Sequence, residues 1–151
     1  MHEHLFCSLR HAEPISEEEG LTAKGQLQAK SLILPSFDAV FCSPAKRAYE
    51  TAEIVAPSTA LIVIPELYLF NLSENQLLRI TERFRGQSTL VVSHGGIANQ
   101  IAAFLSPTFA PTILGKTLKH AEGFLLEKGE LYLVSSFINS YTFDLRQSSW
   151  D

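Results

Sequence analysis

The sequence predicts an α/β fold in a single layered domain over residues 1–151, on three observations. Short apolar runs alternate with segments of helical period along the whole chain. Cap and stop residues sit at the ends of those segments. A chain of 151 residues that is 46% hydrophobic and 10% aromatic also has enough apolar surface for an ordinary core.

The elements follow in order. Leu5 to Leu9 reads as the first strand, and the polar stretch through Glu17, Glu18, Glu19 and Gly20 as a solvated loop. Thr22 caps a helix expected to reach about Ile33, with Ala23, Leu27 and Ser31 at four-residue spacing and Pro35 beyond its end. Ala39 to Cys42 is the second strand. Ser43 and Pro44 open a helix as cap and first residue, continued by Ala48, Ala52 and Val55. Ala60 to Ile64 is the third strand. Ser73 and Gln76 form a capping box, and Leu77, Ile80 and Phe84 share one face of a helix ending near Gly86. Thr89 to Ser93 is apolar enough to be a central strand covered on both faces. Ile97, Ile101, Phe104 and Leu105 then make a helix stopped by Pro107. Residues 106–119 show no regular pattern. Phe124 to Leu126 and Leu131 to Val134, joined through Lys128 and Gly129, read as a hairpin, and the tail after Ser135 stays unassigned.

Charge narrows the function classes. Twelve Lys and Arg against sixteen Asp and Glu give −4, with a pI near 5.7, which argues against a nucleic-acid partner. The longest aliphatic run, Ala60 to Ile64, is far below the roughly 20 residues of a spanning helix, so no membrane partner is expected. The N-terminus lacks a basic stretch before an apolar one, which predicts a cytoplasmic protein. Cys7 and Cys42 lie in apolar stretches and read as buried reduced thiols.

Three small clusters occupy one kind of position. Arg10 and His11 follow the first strand, Ser43 to Arg47 the second, and His94, Gly95 and Gly96 the fourth. Parallel strands would bring them to one crevice at their carboxyl ends. Guanidinium forks and the free N–H groups of a helix beginning at Gly95 would suit a phosphate. A neutral imidazole there can attack phosphorus and form a covalent phosphohistidine, with Arg10 and Arg47 disfavouring the imidazolium and stabilising the transferring group.

These residues carry a resemblance. Arg10-His11-Ala12-Glu13, Leu21-Thr22-Ala23-Lys24-Gly25, Ser43 to Ala48 with Thr51-Ala52-Glu53, and Val92-Ser93-His94-Gly95-Gly96 look like the histidine phosphatase, or phosphoglycerate mutase-like, superfamily, in order and spacing from about Leu5 to Leu105. The small size and the Arg-His-Ala-Glu-Pro opening are most similar to the short phosphohistidine phosphatase branch. The resemblance implies a three-layer α/β/α sandwich with a mostly parallel central sheet. It also implies that His11 is the nucleophile, that Arg10 and Arg47 clamp the phosphate with His94 and Gly95, and that His94 is the second active-site histidine.

One departure bears on substrate. The mutase and broad phosphatase branches place a glutamate acid after the third strand, where this chain runs Pro65-Glu66-Leu67-Tyr68-Leu69-Phe70 with leucine at that place. An alkoxide leaving group needs such a proton donor, whereas the imidazole of phosphohistidine can leave protonated from water. Glu13 and Glu66 are the candidate substitutes. The expected activity is a metal- and cofactor-independent phosphatase acting on a phosphorylated partner, either protein phosphohistidine or a small phosphomonoester. The rival class is a phosphate-binding or regulatory domain that has lost turnover; a phosphoglycerate mutase is disfavoured by length and by the absent glutamate.

Simpler accounts apply to several neighbours. Ser43 reads as a helix cap, and His120 as a surface histidine, with approach to the crevice as the alternative. Cys42 stands too close to Arg47, with Pro44 between them, for a cysteine-phosphatase loop. His2 and His4 read as terminal residues, with no metal assigned.

Overall fold

The computed structural model describes residues 5–16 and 18–136; His2, His4, Glu17 and the tail from residue 137 lie outside the described residues. The strands are β1 (Phe6–Arg10), β2 (Ala39–Cys42), β3 (Leu61–Val63), β4 (Thr89–Ser93), β5 (Glu122–Glu127) and β6 (Glu130–Ser135). The helices are α1 (Ala23–Lys30), α2 (Lys46–Val55), α3 (Glu74–Glu82), α4 (Ile97–Leu105) and α5 (Ala110–Leu114). One sheet runs β3-β2-β4-β1-β5-β6. Its β3, β2, β4 and β1 are parallel, while β5 joins β1 antiparallel and forms a hairpin with β6.

Strand side chains alternate between faces, and the two sets meet different helices. Phe6, Phe41, Val91 and Phe124 pack into one core with Leu77 and Ile80 of α3, Ile97 and Ile101 of α4, and Ile113 of α5. Cys7, Leu9, Val40, Cys42, Leu90 and Val92 face the other way, against Ala48 and Ala52 of α2. The result is the three-layer α/β/α arrangement expected. β4 is buried at all five positions because both its neighbours and both its faces are covered, as its apolar composition predicts. β3 is an edge strand, with Ile62 37% and Val63 41% exposed.

Local chemistry explains most boundaries. The Ser73–Gln76 capping box is formed at both bonds, 3.2 Å and 2.8 Å. α3 stops before Phe84, which instead turns inward against Phe6 and Phe41. Lys128 and Gly129 both take positive φ at the hairpin turn, as a tight two-residue loop requires. Within the stretch that lacked a pattern, Pro107–Phe109 forms a 3₁₀ turn that runs directly into α5.

α1 corrects the expected phase. It ends at Lys30, and its buried residues are Gly25, Gln28 and Ala29, while Ala23 and Leu27 are exposed. The helix docks on the loop after β1 rather than on the sheet. Gln28 Oε1 accepts the Glu13 N–H at 2.9 Å, and Gly25 lies against the Glu13 carbonyl where a Cβ has no room. Among the described residues no helix is long and apolar enough to cross a membrane.

Candidate active site

Parallel pairing ends β1, β2 and β4 at one edge of the sheet, and the residues just past those ends meet there. The His11 N–H donates to the Ser93 carbonyl at 2.9 Å, and its own carbonyl accepts from the Ala121 N–H at 2.9 Å. The residue is thereby held between the end of β4 and the entry to β5, and is 5% exposed. Nδ1 stands 2.8 Å from the Ala12 carbonyl oxygen. Since a carbonyl only accepts, Nδ1 carries the hydrogen and the lone pair lies on Nε2. Arg47 Nε donates to that Nε2 at 3.3 Å. Thr51, buried on α2, fixes both partners: its hydroxyl accepts from the Ala12 N–H at 2.9 Å and donates to the Arg47 carbonyl at 2.8 Å.

His94 follows β4, and its ring centroid is 5.2 Å from that of His11 with the planes at 69°. Its Nε2 is 2.9 Å from Ser43 Oγ. The expected cap role for Ser43 is therefore corrected: Ala45 is the N-cap of α2, without a side-chain bond of its own, and the fully buried Ser43 hydroxyl, which accepts the Ala45 N–H at 3.2 Å, also meets His94. α4 begins after Gly96, whose φ of +87° suits glycine and whose N–H donates to Asn99 Oδ1 at 3.1 Å.

Arg10 lies on the α4 face of the sheet. Its Nη1 donates to the Leu118 carbonyl at 2.7 Å, while its buried Nε has no hydrogen-bond partner. Ser93 Oγ, one strand across, is likewise buried and unpaired. An orphaned buried donor on a cation costs about 1–3 kcal/mol or more, a cost an oxyanion can offset. Beside Arg10 opens a cavity of about 520 Å³ lined by Gly95, Phe70, Asn71, Lys116 and Leu118, among others.

The electrostatics favour neutral rings. Burial, then His94, Arg10 and Arg47, bring the His11 imidazole down to about 3, against the opposing effect of its bond to Ala12. Burial, then Arg47 and Arg10, bring His94 down to about 4. Burial thus outweighs the arginines that sequence reasoning credits with keeping the nucleophile neutral. Burial likewise holds the Cys7 thiol up at about 12 and Cys42 at about 11, so both remain protonated.

Neither candidate acid hydrogen-bonds His11 or His94. Glu13 Oε1 accepts the Thr22 hydroxyl at 2.7 Å beside the α1 cap. Glu66 lies on the 3₁₀ turn Pro65–Tyr68 with its carboxylate 3.9 Å from Arg79 of α3. Three residues enter that the motifs did not single out for chemistry. Tyr68 lies 5.3 Å from the His94 ring with the Arg47 guanidinium 5.7 Å from its centroid, Thr51 ties the loop down, and His120 stands 5.6 Å from His11. The surface account of His120 is overturned, because antiparallel β5 returns its preceding turn to the end of β1.

Residues 8–70 match the histidine phosphatase superfamily (branch 1). Searches of curated proteins give no match. Solved structures do. A phosphoserine phosphatase from Entamoeba histolytica, in complex with 3-phosphoglyceric acid, superposes at a TM-score of 0.67 with 16% identity, over 89% of this chain and 98% of that one. The protein histidine phosphatase SixA, complexed with tungstate, gives 0.64 with 19% identity over 89% and 98%. The α-ribazole phosphatase of Shigella flexneri gives 0.62 with 21% identity over 87% and 95%. The match through residues 8–70 makes that part of the chain similar to the histidine phosphatase superfamily, and the sheet and helices share the phosphoglycerate mutase-like fold of these solved structures.

Proposed function

We propose that the protein is a phosphatase in which His11 attacks phosphorus and becomes transiently phosphorylated, and that phosphohistidine on a protein partner is its leading substrate. The observation that carries this reading is the bond pattern of His11: Nδ1–H is committed to Ala12, which leaves the lone pair of Nε2 facing Arg47. An incoming phosphoryl group would take over the Arg47 donor, freeing Nε2 for in-line attack. Arg10, Arg47 and His94 then hold the phosphoryl oxygens, where phosphoryl transfer depends on positioning and charge. Gly95, at the α4 entry, adds backbone donors to the same anion.

The substrate preference rests on what surrounds the nucleophile. Among the described residues, the hydrogen bonds of His11 and His94 go to Ala12, Arg47, Ser43 and the backbone, and none to a carboxylate. Without a carboxylic acid at the leaving group, an alkoxide departs poorly and a phosphoramidate is favoured. The similar proteins include phosphatases named for phosphohistidine and for phosphoserine, so both leaving groups belong in the test.

Phosphate release from a phosphohistidine peptide and from p-nitrophenyl phosphate is measured in parallel with chelator present and H11A as the control. Release from the peptide alone is the expected result. Comparable release from both would point to a small phosphomonoester substrate, and release from neither to a phosphate-binding domain without turnover.

A further inference from the structure

We propose that His120 takes the proton from the water molecule that hydrolyses phosphorylated His11. The inference rests on the phosphohistidine reading above and adds to it the group that completes the second half of the cycle. That half needs a base, and the carboxylates of Glu13 and Glu66 are engaged by Thr22 and Arg79.

Placement comes first. The His120 ring centroid lies 5.6 Å from that of His11, with the planes inclined at 37°. A second imidazole therefore stands beside the ring that would carry the phosphoryl group.

The turn that presents His120 is held under strain. A Glu122 N–H to Lys119 carbonyl bond of 3.1 Å closes it, with His120 and Ala121 at its two central positions. Ala121 has a φ of +60°, a left-handed conformation unfavourable for an L-residue. Two features keep it there. Its N–H is the donor to the His11 carbonyl at 2.9 Å, and it is fully buried. Glu122, 4% exposed, braces the turn from behind: its carboxylate accepts the Lys119 N–H at 2.7 Å and the Ser135 hydroxyl at 3.2 Å, and lies 3.7 Å from Lys116 Nζ. The same hydrogen bond that fixes the nucleophile's backbone therefore fixes the residue next to His120. Strain retained by such bracing is a mark of a positioned group.

Charge is compatible with the role. Burial and the cations Arg10 and Lys24 disfavour a proton on the ring, and Glu13 favours one. The ring thus rests neutral, the form a base requires, with a carboxylate near enough to support the imidazolium once it forms.

The step balances as follows. The water oxygen forms a bond to phosphorus and the P–Nε2 bond of His11 breaks, its electron pair returning to Nε2. His11 keeps Nδ1–H throughout and leaves as a neutral imidazole. The water proton passes to His120, orthophosphate departs, and His120 gives the proton to solvent.

Phosphorylation and dephosphorylation separate the roles. Rapid-quench experiments with radiolabelled phosphoramidate as phosphoryl donor follow the acid-labile, alkali-stable phosphoenzyme in the native protein, H120Q and H120A. Thermal unfolding of each variant serves as the folding control. The expected result is formation within about threefold of native and decay slowed by roughly a hundredfold, the usual worth of a general base, so that phosphoenzyme accumulates. Decay at the native rate in both variants would overturn the proposal, as would formation and decay slowed equally. A native protein that forms no such phosphoenzyme would overturn the phosphohistidine reading itself.

Discussion

The two ends of the sheet differ in chemistry far more than in shape. At the amino-terminal end of the parallel strands lies a cavity of about 570 Å³, lined by Phe6, Leu78, Phe84, Leu105 and Leu126 among others. At the carboxyl end the cavity beside Arg10 is about 520 Å³. Volume does not choose between them. The charges do. Arg85, at the far end, reaches Glu82 at 3.2 Å with both side chains more than half exposed, so its charge is matched and hydrated. Arg10 is partly desolvated with a buried orphan Nε, and two imidazoles beside it, the buried His11 and the half-buried His94, are driven neutral. An anion site is a place where a protein has withdrawn positive charge from water and left a donor without a partner, and among the described residues Arg10 at the carboxyl end is such a group.

Substitutions can break that contrast from either end. H11A should have the largest effect, reducing turnover by about 10⁴-fold or more because no other group replaces a nucleophile. Steady-state phosphate release checks it. R47A should cost about 10²–10³ in rate through loss of charge stabilisation, and R47K should recover little, since the guanidinium fork is what suits a phosphoryl group.

Acid should sharpen the difference. His11 and His94 titrate near 6.5 in the unfolded chain but at about 3 and about 4 when folded. Below pH 6.5 the unfolded chain therefore takes up protons that the folded protein does not. Stability is full above pH 6.5 and falls as the pH drops towards 4. Urea midpoints between pH 7 and 4 should decline less steeply in His11→Asn than in the native protein. S43A removes one neutral hydrogen bond from His94 and should cost about 1 kcal/mol, roughly fivefold in rate. R85A, at the far end, should leave turnover unchanged and move stability by no more than about 0.5 kcal/mol.

What the sequence revealed follows the range of the forces involved. β1, β2 and β4, the α3 capping box and the β5–β6 hairpin were legible because periodicity, caps and turn residues act within a few positions. Clustering of Arg10, His11, Arg47 and His94 was legible because Arg10 ends β1, His11 and His94 directly follow β1 and β4, and Arg47 lies in the first turn of the helix after β2, all in one parallel set. α1 was misphased because its buried face is chosen by Glu13 and Gln28 across the loop, against the pull of Leu27. Pro107 and Pro111 interrupt helical period in a segment that still forms short turns. Ser43 and His120 gained their partners only through strand order. Ser43 reaches His94 across the β2–β4 pair, and the antiparallel β1–β5 pair brings His120 to His11 over more than a hundred residues of chain.

The most direct test of the central claim is to locate the phosphoryl group. The protein is quenched in alkali during turnover of a radiolabelled phosphohistidine peptide, digested, and the labelled fragment sequenced. The account predicts an alkali-stable, acid-labile label on His11 alone, absent from H11A. Label on another residue, or native-rate phosphate release by H11A, would contradict it.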